Sequence, residues 1–456
     1  MALLLGIDLG TSYFKVGLFD PAGALRGLGR VRVETLSPAP GRCELPVEVF
    51  WTLLRRGLAE ALAEAGATAG EIAGVSYSSQ ASTFLLLDHT SAPLTPLILW
   101  TDSRGDPVEA DPVGFARREE FGRTIGHTGL VVESAVAKFR WFMRNEPRLW
   151  ARAARVMTIS DYFTFALTGE RVGDASTAAF LGLYDLAEQR WWPAALAAFG
   201  IDAERLSQPL RPGSACGRTT SAAAALLGVP AGVPFAVGAI DHHAAAIGSG
   251  LGRFAEMSIS TGTVLAALAI VEQVRPIAGC YHGPHIDGRR FYRLAFDPNG
   301  AGQLEGYQRR WAPAHTIERL LALAAQAPPG AAPPEDVPGR SDETHGMAVR
   351  GLLERTAATH RALVQRTADG ATVNRVIATG GGARSPLWLQ IEADLLDVAV
   401  VRPACPERAC LGAAVFAAVA AGLHGSIVAA AAAMIHPDRV FEPKLEAVAI
   451  YRQRFP

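Results

Sequence analysis

Two short turns, Gly6-Ile7-Asp8-Leu9-Gly10-Thr11-Ser12 and Ser260-Thr261-Gly262-Thr263, lie about half a chain apart, each inside a run of alternating apolar residues. Leu4 to Ile7 leads into the first, and Phe14, Val16 and Leu18 lead out of it with period two. Met257 and Ile259 lead into the second, and Val264, Leu265 and Leu268 lead out. The alternation places each turn at the tip of a hairpin. Glycine lets backbone N–H groups converge on an anion, the Thr and Ser hydroxyls donate further hydrogen bonds, and Asp8 is suited to hold a hydrated Mg²⁺ beside them. Either turn alone is better explained as a tight turn. As a pair they read as a duplicated phosphate clamp, two tips that grip a nucleotide triphosphate.

At 456 residues the chain is long enough for two domains with large cores. Hydrophobic residues make up 49% and charged residues 19%, the balance of an ordinary globular protein. The formal net charge is -1 and no basic run stands out, which argues against nucleic acid or an anionic membrane as partner. A phosphate ligand is then held by local backbone groups and metal. Met1 to Leu5 is apolar but runs straight into Gly6 and Asp8 with no basic leader, and the alanine-rich run 428 to 434 is too short to span a bilayer. The five cysteines, Cys43, Cys216, Cys280, Cys405 and Cys410, are odd in number and scattered, with no metal-type spacing. A reduced, cytoplasmic setting is expected. Lysine occurs only at 15, 138 and 444, a composition bias in which arginine supplies nearly all the positive charge.

The first half alternates strand-like and helix-like segments: a hairpin to about 35, a helix over 47 to 65, strands over 72 to 77 and 84 to 88, then helices through 115 to 168. This alternation predicts α/β layers. Val233 to Ile240 reads as one buried strand ending in Asp241-His242-His243, with a short helix after it and a glycine break at Gly248, Gly250 and Gly252. The domain boundary is placed there, giving 1–247 and 248–456. Further on, Val373 to Ala378 predicts a strand, Gly380-Gly381-Gly382 a turn and 386 to 397 a helix, a nucleotide-type arrangement. Ala327 to Gly346, with five prolines, reads as a surface loop.

Asp241, at a strand end, can project into a cleft and take a proton from a hydroxyl that attacks phosphate. It is equally placed to act as a helix N-cap. His242 and His243 are suited to polar contact with a substrate or to a half-buried surface, and no third ligand at zinc spacing accompanies them. Trp100-Thr101-Asp102-Ser103-Arg104 combines an aromatic face, a carboxylate and a guanidinium, the set that reads a sugar's C–H face and hydroxyls. The alternative is a core tryptophan beside a local ion pair. Gln80 and Ser82, at the end of the Val75 to Ser79 strand, offer amide and hydroxyl contacts. Gly380 to Pro386 gives a bare turn and then Ser and Pro at N-cap and first-turn positions, against which an adenine or ribose can lie.

In order along the chain these segments resemble the FGGY family of carbohydrate kinases, within the actin-like superfamily. Gly6 to Thr11 is similar to the family's first phosphate motif, Trp100 to Arg104 to its W-x-D-x-R sugar segment, and Lys138-Phe139-Arg140-Trp141-Phe142 to the core of its first signature. Ile159 to Tyr162 with Thr168-Gly169, Gly238 to Gly248, Ser260 to Thr263 and Gly380 to Trp388 resemble, in turn, the segment before the substrate loop, the catalytic-base loop, the second phosphate motif and the adenosine motif.

The resemblance implies an α/β chain of two actin-like (ribonuclease H-like) domains with a catalytic cleft between them, and transfer of phosphate from Mg-ATP to a hydroxyl of a small sugar or polyol. It makes Asp241 the general base and Asp8 the anchor for Mg²⁺. ATP contacts fall to Asp8, Gly10, Thr11, Ser12, Thr261, Gly262, Thr263, Gly302, Gly381, Gly382 and Ala383. Sugar contacts fall to Gln80, Ser82, Trp100, Asp102, Arg104, Asp241 and His242. The xylulokinase-like branch fits best, with a ketopentose such as xylulose as substrate and a homodimer left open. Xylulokinases usually carry Met-His after the glutamine and glycerol kinases Arg-Glu, whereas Ala81-Ser82 follow Gln80 here, so the sugar's identity stays open. A chaperone-like ATPase or a non-catalytic sugar sensor of the same superfamily are the competing readings, and the sugar segment and Asp241 discriminate against the former.

Overall fold

The computed structural model describes residues 2–111, 113–131, 134–262, 264–297, 300, 302–331 and 341–456. The chain forms two units: the first comprises 1–248, 271–292 and 409–434, and the second 249–270, 293–408 and 435–456. The leading segment of the first unit ends at residue 248, beside the expected boundary, and two later segments group with that unit by contact. Linear sequence carries no mark of such a return.

In the first unit, Leu3–Leu9 lies antiparallel to Tyr13–Phe19 on one side and parallel to Ile72–Ser79 on the other. Leu25–Arg32 extends the sheet beyond the hairpin, and Pro234–Ala236 and Ala215–Arg218 extend it beyond Ile72–Ser79. All seven residues of Leu3–Leu9 are buried, as expected of a central strand covered on both faces. The helix Val47–Ala65 covers one face, where Gly27 and Gly29 let the Ala61 and Gly57 carbonyls approach. The helix Arg408–Ala420 sits over Gly6, Gly17 and Gly74, where a β-carbon on Gly6 would overlap the Cys410 carbonyl oxygen.

The predicted strand Val233 to Ile240 is in fact two pieces, Pro234–Ala236 and Ala239–Ile240. Both pair with Ile72–Ser79, the first through Val75 and the second through Ser78 and Ser79. The break falls at Val237-Gly238, where Gly238 lies against the Tyr77 carbonyl too closely for any side chain. A smaller sheet, ordered Glu44–Leu45, Leu97–Ile98, Phe84–Leu87, Arg155–Thr158, carries the Trp100 segment over a second core that includes Phe84, Phe121, Phe139 and Phe199.

The second unit repeats the central motif. Met257–Thr261 lies antiparallel to Leu265–Val271 and parallel to Arg375–Thr379, and the sheet continues through Ala399–Pro403 to Pro437–Phe441. The helices Asp342–Ala368 and Pro386–Leu396 share a core with Trp388, Ile391 and Leu353. The long helix begins at Asp342 with Ser341 as its N-cap, so the last residues of the predicted 327–346 loop are helical, and 332–340 lie outside the described residues. Among the described residues no helix is long and apolar enough to cross a membrane.

Candidate active site

Sheet register aligns the candidate site residues of the first unit. Asp8 pairs with Lys15 across the hairpin and with Ser78 on the parallel side, and Ser78 pairs in turn with Ala239. One step on, Leu9, Ser79 and Ile240 are neighbours, so Gly10, Gln80 and Asp241 emerge together from the carboxyl ends of three adjacent strands. Open α/β sheets place their ligands at such an edge.

Asp8 is largely buried; its carboxylate accepts the Ser78 hydroxyl at 3.0 Å and meets Lys15 Nζ at 3.5 Å. The tip beside it is tied to two other segments. Gln80 donates through Nε2 to the Gly10 carbonyl at 3.3 Å, and its Oε1 accepts Thr83 Oγ1 at 2.9 Å and Thr11 Oγ1 at 3.5 Å. Trp100 donates its indole N–H to Thr11 Oγ1 at 2.8 Å. Gly10, Thr11, Gln80 and Trp100, far apart in sequence, form one hydrogen-bonded cluster. Ser12 is exposed at the tip, and Ser82 is buried with φ 57, a left-handed conformation that costs a non-glycine residue energy.

Asp102 and Arg104 are brought to this region, but they are bound to each other. Arg104 donates to both carboxylate oxygens of Asp102 at 2.7 Å and to Glu44 at 2.6 Å, while the Cys43 N–H donates to Asp102 at 2.8 Å. Burial opposes ionisation of Asp102, and the Arg104 and backbone hydrogen bonds outweigh it to hold the carboxyl below the usual range. Lys138, fully buried, donates to the Leu99 and Trp100 carbonyls at 2.9 and 2.8 Å. The ion pair and Lys138 thus fix the backbone that presents Trp100.

Asp241 is the first residue of the helix Asp241–Ile247, whose N-cap is Ile240, so the capping role allowed by the sequence is not the one it occupies. It is half-buried and accepts the His242 N–H at 2.7 Å. His242 is half-buried beside it. His243 is buried and bonded to His285 at 3.0 Å; burial holds both imidazoles neutral, His285 at about 4.

In the second unit Thr261 is buried and donates to the Thr379 carbonyl at 2.9 Å, while Thr263 lies outside the described residues. The Gly380–Gly382 turn packs directly on this tip: a β-carbon on Gly380 would come within 2.6 Å of the Gly262 nitrogen, and one on Gly382 within 2.8 Å of Thr261 Oγ1. The Thr261-Gly262 tip and the Gly380–Gly382 turn are therefore one surface. Gly381 is exposed on it, Ala383 is buried beneath, and Ser385 caps the following helix through Trp388 N–H at 3.3 Å. Gly302 opens the helix Gly302–Trp311, exposed, with nothing within 4 Å of its missing β-carbon. Sequence reasoning did not find Arg408, which donates to the Gly380 carbonyl at 3.2 Å, nor the Arg384 to Glu407 pair at 2.8 Å. Neither has a local pattern, since each is a lone side chain reaching from a neighbouring loop or helix.

The model of the FGGY family of carbohydrate kinases, N-terminal domain, matches residues 3–248, and that of the C-terminal domain matches 325–421. The chain belongs to the FGGY family of carbohydrate kinases. It is 26% identical over 477 residues to an L-xylulose/3-keto-L-gulonate kinase from Escherichia coli, covering 99% of this chain and 95% of that one. It is also 26% identical to an autoinducer-2 kinase from Salmonella choleraesuis, covering 99% of this chain and 92% of the other. The crystal structure of xylulose kinase from Rhodospirillum rubrum is similar at a TM-score of 0.85 and 26% identity, over 99% of this chain and 96% of that one. The fold is thus the two-domain, actin-like fold of FGGY sugar kinases, and the chain is a carbohydrate kinase of xylulokinase-like type. A chaperone-type assignment is set aside.

Proposed function

We propose that this kinase transfers the γ-phosphoryl group of ATP to a hydroxyl of a small ketose or related polyol, with Asp241 as general base. The observation that carries the reading is the shared edge of Gly10, Gln80 and Asp241, which sets an acceptor for a proton beside a glycine-hydroxyl tip suited to phosphate. In the proposed step Asp241 takes the proton of the sugar hydroxyl, the freed oxygen attacks the γ-phosphorus, and ADP leaves. Asp8 is the proposed anchor for Mg²⁺. Among the described residues no cluster of three or more His, Cys, Asp or Glu exists, which suits an ion that Mg²⁺ chemistry leaves mostly to water and phosphate oxygens. Bound there, Mg²⁺ would neutralise charge on the phosphates.

The sugar-facing groups are proposed to be Trp100, Gln80 and His242, with Asp102 and Arg104 holding the segment from behind. The two relatives are named for different substrates at equal identity, so a ketose class is proposed rather than one sugar. The five cysteines form no disulfide among the described residues, and a reducing, cytoplasmic setting is proposed.

The test is ATP turnover against a panel of pentuloses, tetruloses and polyols, with Asp241→Asn alongside. Asparagine keeps the size and the acceptor for the His242 N–H but cannot take the proton, so kcat should fall about 10²- to 10⁴-fold. Because Asp241 is not the N-cap, the melting temperature should hardly move. Full activity in Asp241→Asn would overturn the mechanism.

A further inference from the structure

His360, on the helix Asp342–Ala368, and Glu392, on the helix Pro386–Leu396, are both completely buried. His360 Nδ1 lies 2.6 Å from Glu392 Oε1, and its Nε2 lies 2.9 Å from the carbonyl oxygen of Ser260. The protons follow from this geometry. A carbonyl can only accept, so Nε2 carries a hydrogen and donates to Ser260. One further proton lies between Nδ1 and the carboxylate. Burial opposes charge on the ring, but the neighbouring Glu392 charge outweighs burial and holds the imidazole above its usual value. Glu392 Oε2 is buried with no hydrogen-bond partner among the described residues, so nothing but His360 compensates this charge by direct hydrogen bonding.

The pair joins three elements. Ser260 is the residue before Thr261-Gly262, the tip of the second phosphate motif. Glu392 stands on the helix that follows the Gly380–Gly382 turn. We infer that His360 and Glu392 are positioning residues for nucleotide: His360 fixes the Ser260 carbonyl, and with it the tip, while Glu392 ties that tip to the helix behind the adenosine turn. The inference rests on the nucleotide role proposed for this surface. A buried ion pair is weak support for stability, since apolar residues of similar size often replace one without loss. Its retention here is explained by the place it holds, directly under the tip.

The test is the double variant His360→Leu/Glu392→Leu, which removes both charges and leaves no unpaired one. It should melt at or above the wild-type temperature. Yet the Ser260 carbonyl loses its donor, so amide hydrogen exchange in a peptide spanning 257–262 should speed up about tenfold or more, and the dissociation constant for ADP should rise about tenfold by calorimetry. The sugar dissociation constant should stay unchanged. The single variant Glu392→Gln, which keeps a neutral hydrogen bond to the ring, should show a smaller rise for ADP. If the double variant melts normally with unchanged exchange at 257–262, the inference is overturned, whether or not ADP binds. If wild type fails to bind ADP while exchange responds as expected, the positioning of the tip stands and the kinase reading falls.

Discussion

The guanidinium of Arg104 faces the Trp141 and Phe142 rings at 5.3 Å and gives its hydrogen bonds to Asp102 and Glu44, so neither Arg104 nor Asp102 is free to turn toward a ligand. Removing one partner of such a pair strands the other. Arg104→Ala leaves Asp102, 1% exposed, as an uncompensated carboxylate, and about 3–5 kcal/mol of stability should be lost. Thermal denaturation checks this: an unchanged melting temperature with a raised KM for sugar alone would return Arg104 to direct contact. A second buried carboxyl titrates in the physiological range. Burial pushes Asp161 up to about 7, only partly offset by hydrogen bonds from Thr158. Its folded value lies above its unfolded value near 4, so the folded state binds the extra proton and stability falls as pH rises from about 4 to about 7. Asp161→Asn should therefore gain stability over wild type across that window and hold the gain above it, as denaturant midpoints at pH 5 and pH 8 will show. At this scale the sequence is legible where chemistry is local, as for Asp8, Gln80 and Trp100. His360 and Glu392 are 32 residues apart on helices otherwise read for their apolar faces, and no periodicity announces such a pair.

Elements follow the sequence pattern where alternation or helical spacing runs unbroken, as in both hairpins and the helix Val47–Ala65. They depart from it where tertiary packing overrides pattern. The apolar run Val233 to Ile240 looks continuous, yet the close approach of Gly238 to the Tyr77 carbonyl splits it, and this break carries Asp241 to the same edge as Asp8. Glycines also seat the helix Arg408–Ala420, whose backbone lies against Gly6 and Gly74, while its own Gly412 admits the Ala244 carbonyl. Backbone atoms cannot rotate aside. Gly6→Ala should consequently destabilise by about 1–3 kcal/mol or more, by pushing the helix off the sheet. Gly302→Ala, with open space around its site, should be neutral to within about 0.5 kcal/mol. Equal midpoints for the two variants in urea would show that the helix does not bear on the sheet at Gly6.

The whole molecule departs most from a linear reading in how the first unit is completed. Residues 1–248 contain the hairpin, the sugar segment and Asp241, and the family model for the N-terminal domain covers nearly the same span. Yet 271–292 and 409–434 belong to that unit by contact. Tyr292, from the first of these, is buried, donates to the Ser176 carbonyl at 2.9 Å and packs its ring 4.9 Å from His243; His285 bonds the same histidine. The second supplies the helix over Gly6, Gly17 and Gly74, with Phe416 packed among Ala236, Ala239 and Ala244. A fragment of 1–248 would expose one face of its central sheet and leave His243 without its ring and hydrogen-bond partners. That loss removes apolar burial on the scale of several side chains, each about 1.5–3 kcal/mol, against a total stability of about 5–15 kcal/mol for a typical domain. The fragment expressed alone should show no cooperative thermal transition and should bind a hydrophobic dye, whereas the full chain melts cooperatively. A fragment of 1–248 that melts cooperatively near the full-chain temperature would mean that the returning segments only decorate a unit already complete without them.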